Sequence, residues 1–390
     1  MLEKQRNIVD YALSSVWRKK AKTLGVMAVF SAVIFLIASF QMTTKALTDM
    51  SQASLQHAPE ITVQKMTAGR QESIPVAYIE KLNRIFGIRK IVPRVWGYYF
   101  DEANGANYTI LGVPLTESSA YPQLPMTLQE GHPPDRGEVL LGQGVVKSMQ
   151  LGKRRIFSLF KPDLSLQPFS VAGLFSPDTD FFTFDTIAMN IEDSRALFGI
   201  SEQLASDLCV YVANASEVAT IAKKISEALP DTRIVTRQQV QKTYRAVFGW
   251  RSGFGSICIL SALAAFVILA WDKASGLSPE EKKEIAILKV IGWQTADVLT
   301  LRFWEAVTVS SLSFLIGFTC AYLHVSFFSA ALFRPVLVGW SVMTPTLRLV
   351  PQLALPEILL IFSFTVIPYM AATVIPSWRC AVIPPDAAIN

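Results

Sequence analysis

The sequence predicts an α-helical membrane protein with four transmembrane helices and a large extracytoplasmic α+β domain inserted between helices 1 and 2. Three observations carry this. The stretches 23–44, 252–271, 306–333 and 358–378 contain no Asp, Glu, Lys or Arg, and each is long enough for a helix to cross about 30 Å of hydrocarbon. Between the first two lie 207 residues, 45–251, with no further stretch of that kind. Lys4, Arg6, Arg18, Lys19, Lys20 and Lys22 all precede the first stretch, and an excess of basic residues marks the cytoplasmic side. The composition agrees: mean hydropathy is +0.35, and charged residues make up 17% of the chain, where a soluble domain has about a quarter.

Residues 1–22 read as a cytoplasmic amphipathic and basic segment, with Ile8, Ala12, Val16 and Trp17 along one face of a helix lying on the membrane. A cleaved signal peptide is disfavoured, because the apolar core is long and no small-x-small site closes it. The first span is therefore expected to stay in place. In the domain at 45–251, strand-like alternation occurs at 60–64, 91–100, 108–115, 168–174, 186–190, 208–212 and 233–236. Residues 76–85 and 216–229 read as helices, the second with Val218, Ile221, Ile225 and Leu229 on one face. The segment 237–249 reads as a helical stalk leading to the second span.

The segment 272–305 turns the chain around at one face of the membrane. Ser278, Pro279 and Glu281 have the spacing of an N-cap, a proline at the first helical position and the acid of a capping box. The helix they start carries Ile285, Leu288, Val290 and Ile291 on a broad apolar side, and Gly292 can end it. Two readings stand: an interfacial turnaround, or a docking helix for a soluble partner. The third span is 306–333, the loop 334–357 lies outside, and the fourth span 358–378 is kinked at Pro368. The tail 379–390 lies inside, with Glu305 and Arg379 marking the membrane interface.

Little in the chain speaks of chemistry. Cys209 is the one cysteine of the large domain, which excludes an intrachain disulfide there, and His57, His132 and His324 are too scattered for a metal site. The stretch 142–148, GQGVVKS, resembles a phosphate loop but lacks its Gly-Lys-Ser/Thr ending. Asp178, Asp180 and Asp185 read as a solvated turn rather than a cation site. No catalytic, cofactor-binding or metal-binding residues are expected, and no nucleic-acid partner, since no basic stripe with interleaved aromatics occurs. Gly249, Gly253, Ala262 and Ala265 offer small residues for close helix packing, as in a dimer.

The layout resembles the MacB/FtsX/LolC-type permeases, the type VII ABC transporter superfamily. The most specific part is EEKKEIAILKVIGWQTADVLTLRFWEA: Glu284-Ile285-Ala286, Lys289-Val290-Ile291-Gly292 and Glu305 fall where that family shows Glu-Ile-Gly, a Lys/Arg-Ala-Leu-Gly-like turn and a later Glu. Pro376, Arg379 and Pro384 or Pro385 are similar to its tail. Ala286 in the usual glycine position and Trp293 after the turn are departures. The resemblance implies a homodimer in the bacterial inner membrane, bound by a cytoplasmic ABC ATPase dimer that carries the ATP and magnesium. It also implies mechanotransmission rather than passage of a solute through the bilayer. Glu284, Ile285, Leu288, Lys289 and Gly292 are then the coupling residues, Ile285 and Leu288 being the apolar anchors. The expected output is export or efflux, with a periplasmic membrane-fusion protein and an outer-membrane channel as candidate partners. The alternatives are an FtsX-like regulator of extracytoplasmic cell-wall hydrolases and a non-transporting scaffold or sensor.

Overall fold

The computed structural model describes residues 2–55, 58–114, 128–152, 154–248, 256, 257, 260, 264, 268, 279–333, 335, 343, 349–351 and 354–382. Its helices are α1 (Leu2–Arg18), α2 (Lys20–Leu55), α3 (Tyr78–Leu82), α4 (Gln143–Ser148), α5 (Asp180–Thr183), α6 (Ile191–Phe198), α7 (Val218–Ala228), α8 (Arg237–Phe248), α9 (Pro279–Val290), α10 (Thr295–Ser326) and α11 (Leu355–Val382). Its strands are β1 (Ile61–Thr67), β2 (Arg70–Glu72), β3 (Ile74–Pro75), β4 (Ile88–Asp101), β5 (Ala106–Val113), β6 (Leu128–Gly131), β7 (Glu138–Leu141), β8 (Ile156–Phe160), β9 (Leu166–Phe175), β10 (Thr186–Asn190), β11 (Leu204–Ala205), β12 (Asp207–Val212) and β13 (Thr232–Thr236). The chain divides into two compact units, Met1–Ala46 with Gly249–Phe333 and Leu349–Asn390, and Leu47–Phe248 with Arg334–Arg348.

The first unit is helical. Among the described residues three stretches are long and apolar enough to cross a membrane: Thr23–Ala53, Thr295–Ser326 and Leu355–Val374. The expected span 252–271 lies almost wholly outside the described residues, as do Gly249, Gly253, Ala262 and Ala265. The close helix approach that is described occurs elsewhere, at Gly317 of α10. A Cβ there would lie 2.5 Å from the Ser31 carbonyl oxygen and 2.9 Å from Ile34 Cβ of α2, so only glycine lets these backbones meet. Ser31 Oγ donates to the Ser313 carbonyl at 3.1 Å beside it. Phe30 stacks on Tyr369 at 4.9 Å and Phe314 meets Phe362 edge-on at 5.2 Å, joining α11 to both helices.

The charge-free limits of 306–333 are not the limits of α10. The helix begins at Thr295, with Arg302 and Glu305 inside it, and stops at Ser326. Beyond it the chain turns back, with Ser329 and Ala330 at positive φ. Phe333 then packs edge-on against Phe40 of α2.

The second unit is built on an eleven-stranded mixed sheet in the order β13-β1-β12-β4-β5-β10-β7-β9-β6, with β2 on β1 and β8 on β9. The β5–β10 and β7–β9 pairs are parallel and the others antiparallel. The predicted strand-helix-strand at 208–236 is β12-α7-β13, and β1 from the start of the domain inserts between its two strands. Burial follows the alternation: Ile61 and Val63 of β1 pack with Ile221, Ile225 and Leu229 around α7 in one core. A second core gathers Ile110, Val139, Leu141, Phe169 and Ile187 with Val145 of α4.

Candidate functional site

The segment expected to carry coupling folds as α9, a tight turn and the start of α10. Ser278 lies outside the described residues, so the predicted N-cap is not seen. The far end is fully described. Gly292 sits at φ +104°, its N–H donates to the Lys289 carbonyl at 3.0 Å, and the Trp293 N–H reaches the Leu288 carbonyl at 3.0 Å. This is a Schellman turn, and its usual apolar contact is the packing of Trp293 with Leu288. Two residues later Gln294 and Asp297 exchange side-chain-to-backbone hydrogen bonds in a capping box that starts α10.

This turn sets which side of α9 faces inward. Ile285 is 3% exposed and packs with Val298 and Trp293. Leu288, 6% exposed, packs with Ile8 and Ala12 of α1 and Leu301 of α10. Both expected apolar anchors are thus covered by their own chain. The apolar residues that point away are Ile287 at 50%, Val290 at 70% and Ile291 at 70% exposure, which with exposed Lys283 form an i, i+4, i+7, i+8 stripe.

Charged groups brace the same helix. Glu284 Oε2 accepts from Lys19 Nζ at 2.5 Å and from Arg302 Nη2 at 3.3 Å. Arg302 Nη1 donates to Glu305 Oε2 at 2.6 Å. Lys4 Nζ lies 2.8 Å from Asp297, Tyr11 meets Trp293 at 5.7 Å, and the Arg18 guanidinium lies over the Tyr11 ring at 5.0 Å. The predicted face of α1 through Ile8 and Ala12 therefore packs on protein, while Trp17 is turned out, 81% exposed. Lys289 lies half-buried in the last turn of α9, and the backbone at Arg379 is part of α11. Lys19 is legible in the sequence only as one of the basic residues that orient the first span, and Arg302 only as an arginine beside a glutamate in the apolar run LTLRFWEA.

The other candidates resolve into structure. In 142–148 the N–H groups that a phosphate would need are occupied, Gly142 N by the Thr186 carbonyl and Gly144 N by the Phe184 carbonyl, each at 2.9 Å. A Cβ on Gly142 would fall 1.8 Å from the Thr183 carbonyl oxygen, so that glycine serves close packing. Asp180 is 3% exposed rather than solvated. Burial raises the Asp185 carboxyl above its usual range while Thr109 Oγ1 donates to it at 3.1 Å. His324 is held at both ring nitrogens: the Leu332 N–H donates to Nε2 at 3.1 Å, so Nδ1 carries the proton shared with Ser39 Oγ at 2.6 Å. Among the described residues no group of His, Cys, Asp and Glu could hold a metal ion. An open cavity of about 540 Å³ between α4 and β6 has Arg154, Arg155 and Glu130 among its lining residues, so it presents no single sign of charge.

Entry to and exit from the large domain are tied together. Arg237, the first residue of α8, pairs with Glu60 and also donates to the Ala58 carbonyl. Glu60 Oε2 accepts from the Val212 N–H at 3.1 Å. The strand that opens the domain and the helix that leaves it are therefore clamped at one point.

These features define a class: a multi-pass membrane protein with a large extracytoplasmic α+β domain carried between membrane helices. Residues 23–228, more than half of the chain, match the family model of the MacB-like periplasmic core domain. The chain belongs to that family, the MacB/FtsX-type ABC-transporter permeases, and has a permease role in an ABC-type system. Among solved structures it is similar to the extracellular domain of the noncanonic ABC-type transporter YknZ from Gram-positive bacteria, at 12% identity over 45% of this chain and 99% of that one, with a TM-score of 0.34. It is also similar to the periplasmic region of MacB from Actinobacillus actinomycetemcomitans, at 10% identity over 49% and 94% of the two chains, with a TM-score of 0.36. No curated protein matches the chain.

Proposed function

We propose that this chain is the permease subunit of an ATP-driven mechanotransmission transporter that supports export from the cell envelope. Two copies work with a cytoplasmic ATPase dimer, which binds ATP and magnesium. In this reading the membrane is crossed four times, 252–271 supplying the second span, and both termini and α9 are cytoplasmic. Helix α9 receives the ATPase. Glu284, Ile285, Leu288, Lys289 and Gly292 form its frame, holding the helix against α1 and α10, while Ile287, Val290 and Ile291 meet the partner.

The observation that carries the reading is the two-sidedness of α9 in a chain of this family. One side is locked by apolar packing and ion pairs, and the other presents three exposed aliphatic side chains. An interfacial turnaround would turn those three side chains to lipid, whereas a docking helix sets a rigid back against the membrane helices and an apolar front toward its partner. Motion received there passes through the membrane helices to the domain, whose entry and exit are clamped at Glu60 and Arg237.

The test is co-purification of the full chain with its ATPase in lipid nanodiscs. Val290→Glu with Ile291→Glu places two charges in an apolar contact and is expected to weaken association by at least tenfold while membrane insertion stays normal. Association unchanged by both substitutions would remove α9 as the docking element. Labelling of Lys283→Cys but not Glu202→Cys, both exposed positions, by an impermeant thiol reagent on intact cells, in a chain without native cysteines, would reverse the orientation.

A further inference from the structure

We propose that Lys19, Glu284, Arg302 and Glu305 form an ionic relay that passes movement of α9 directly into the first membrane helix. The N-terminal helix is then a working part of the coupling element, not only a surface anchor. The inference rests on the docking reading of α9 given above.

The geometry is that of a linear chain of alternating charges. One oxygen, Glu284 Oε2, is held by Lys19 from one side at 2.5 Å and by Arg302 from the other at 3.3 Å. Arg302 uses a second nitrogen for Glu305 at 2.6 Å. Two positive and two negative groups balance. Arg302 is 8% exposed, and the side chains of Glu284 and Glu305 are 19% and 15% exposed. The Arg302 pairs are screened little and resist separation, while the Lys19 side chain, 36% exposed, is the more hydrated end of the chain. A guanidinium bonded through two different nitrogens also fixes the direction of both carboxylates.

The position of Lys19 gives the relay its output. It is the single residue between α1 and α2, and helical hydrogen bonding runs through it: its N–H donates to the Ser15 carbonyl at 3.1 Å and its carbonyl accepts from the Thr23 N–H at 3.0 Å. From Lys20 the helix is unbroken to Leu55, and the chain then enters β1 of the large domain. A displacement of α9 is thus delivered to α2 through one side-chain contact, without waiting on 252–271. The packing of Leu288 on Ile8 and Ala12 and the Lys4–Asp297 pair keep α1 from slipping past α9. An anchoring role alone would call for the exposed Leu13 and Trp17 and the basic side chains toward lipid. It would not call for a lysine turned inward onto Glu284.

The experiment uses the full chain with its ATPase in nanodiscs, in a variant lacking the native cysteines and carrying a spin label at Glu202→Cys in each copy. The label-to-label distance is measured with and without ATP and magnesium. For Lys19→Met, which keeps the apolar stem and removes the charge, ATPase association is expected within twofold of the unsubstituted chain, hydrolysis persists, and the ATP-induced displacement falls at least fivefold. Lys19→Arg should keep at least half of the displacement. If Lys19→Met does not reach the membrane, Lys19→Gln is read by the same criteria. Full displacement in the neutral variant overturns the relay. So does loss of ATPase association in step with displacement, which makes Lys19 a support of the docking surface, and so does an arginine variant no better than the methionine. The unsubstituted complex tests the underlying reading separately: no displacement there defeats the mechanical function itself, whereas equal displacement with and without the Lys19 charge defeats only the relay.

Discussion

Arg94 in the large domain and Arg302 in the helical unit both hold carboxylates away from water, but the two sites are built differently. Arg94 and Asp207 are direct neighbours across β4 and β12. The pair is bidentate at 2.9 and 2.7 Å, and the Trp96 indole N–H adds a third bond to Asp207 at 2.8 Å. Everything that fixes it belongs to one sheet. Cys209 beside it is sealed in, and burial pushes its thiol up to about 12. Arg302, by contrast, reaches Glu284 across the tight turn between α9 and α10, and Glu284 reaches Lys19, 265 residues away in sequence, so the N-terminal helices and the α9–α10 pair share one small cluster. The difference teaches that similar chemistry serves two ends. Inside a single sheet the ion pair adds local rigidity, while between separate helices it ties one helix to another.

The sharpest way to break this comparison is to remove Asp207. Asp207→Ala strands a guanidinium and an indole N–H, and stranding a buried charge costs about 3–5 kcal/mol. The Arg94 side chain is 27% exposed and recovers some hydration, so the expected loss is near the lower end, about 3 kcal/mol. Hydrogen exchange on the full-length protein should show it in β4 and β12, with α9 and α10 unchanged. A loss below about 1 kcal/mol would mean that the pair is not desolvated, and deprotection of α9 would deny that the Asp207 site is local.

The second test takes the other region. Leu288→Ala deletes a buried side chain between α1 and α10 and is expected to cost about 2–4 kcal/mol, read as faster exchange in α1 as well as α9. Ile287→Ala, one position earlier and half exposed, should cost less than about 0.5 kcal/mol while weakening ATPase association. Equal stability losses from the two would show that α9 has no inner and outer side.

That pair of positions also marks where the sequence stops being informative. Strands with clean alternation, such as Ile61–Thr67 and Thr186–Asn190, were legible, as was the α7 face through Ile221 and Ile225. The insertion of β1 between β12 and β13 was not, because alternation names a buried face without naming a neighbour. Strand β8 was missed too, since its apolar residues Ile156 and Phe160 are exposed and its buried ones few. In α9 the difficulty was different: residues 285–288 and 290–291 are apolar all round, so periodicity could not say which residues the chain itself would cover. Only the inward ties of Glu284 and the turn at Gly292 settle the rotation of the helix.

Gly292 therefore supplies the smallest test. Its φ of +104° lies in the left-handed region, which glycine enters without strain and alanine does not. A Cβ at this position would meet nothing within 4 Å, so Gly292→Ala should cost only the backbone term, about 1 kcal/mol. Asparagine tolerates left-handed backbone better than alanine, and Gly292→Asn should cost less. The loss should appear as faster exchange at the Gly292 and Trp293 amides, which close the Schellman turn, with the interior of α10 protected as before. Its functional trace should be correspondingly mild: Ile287, Val290 and Ile291 stay on the helix, but the angle at which the turn hands α9 on to α10 becomes less defined. No change at those two amides would mean that the rotation of α9 is held by Glu284 and Leu288 without help from the turn. A loss of several kcal/mol would mean that the space beside Gly292 is filled when the helix carries its partner.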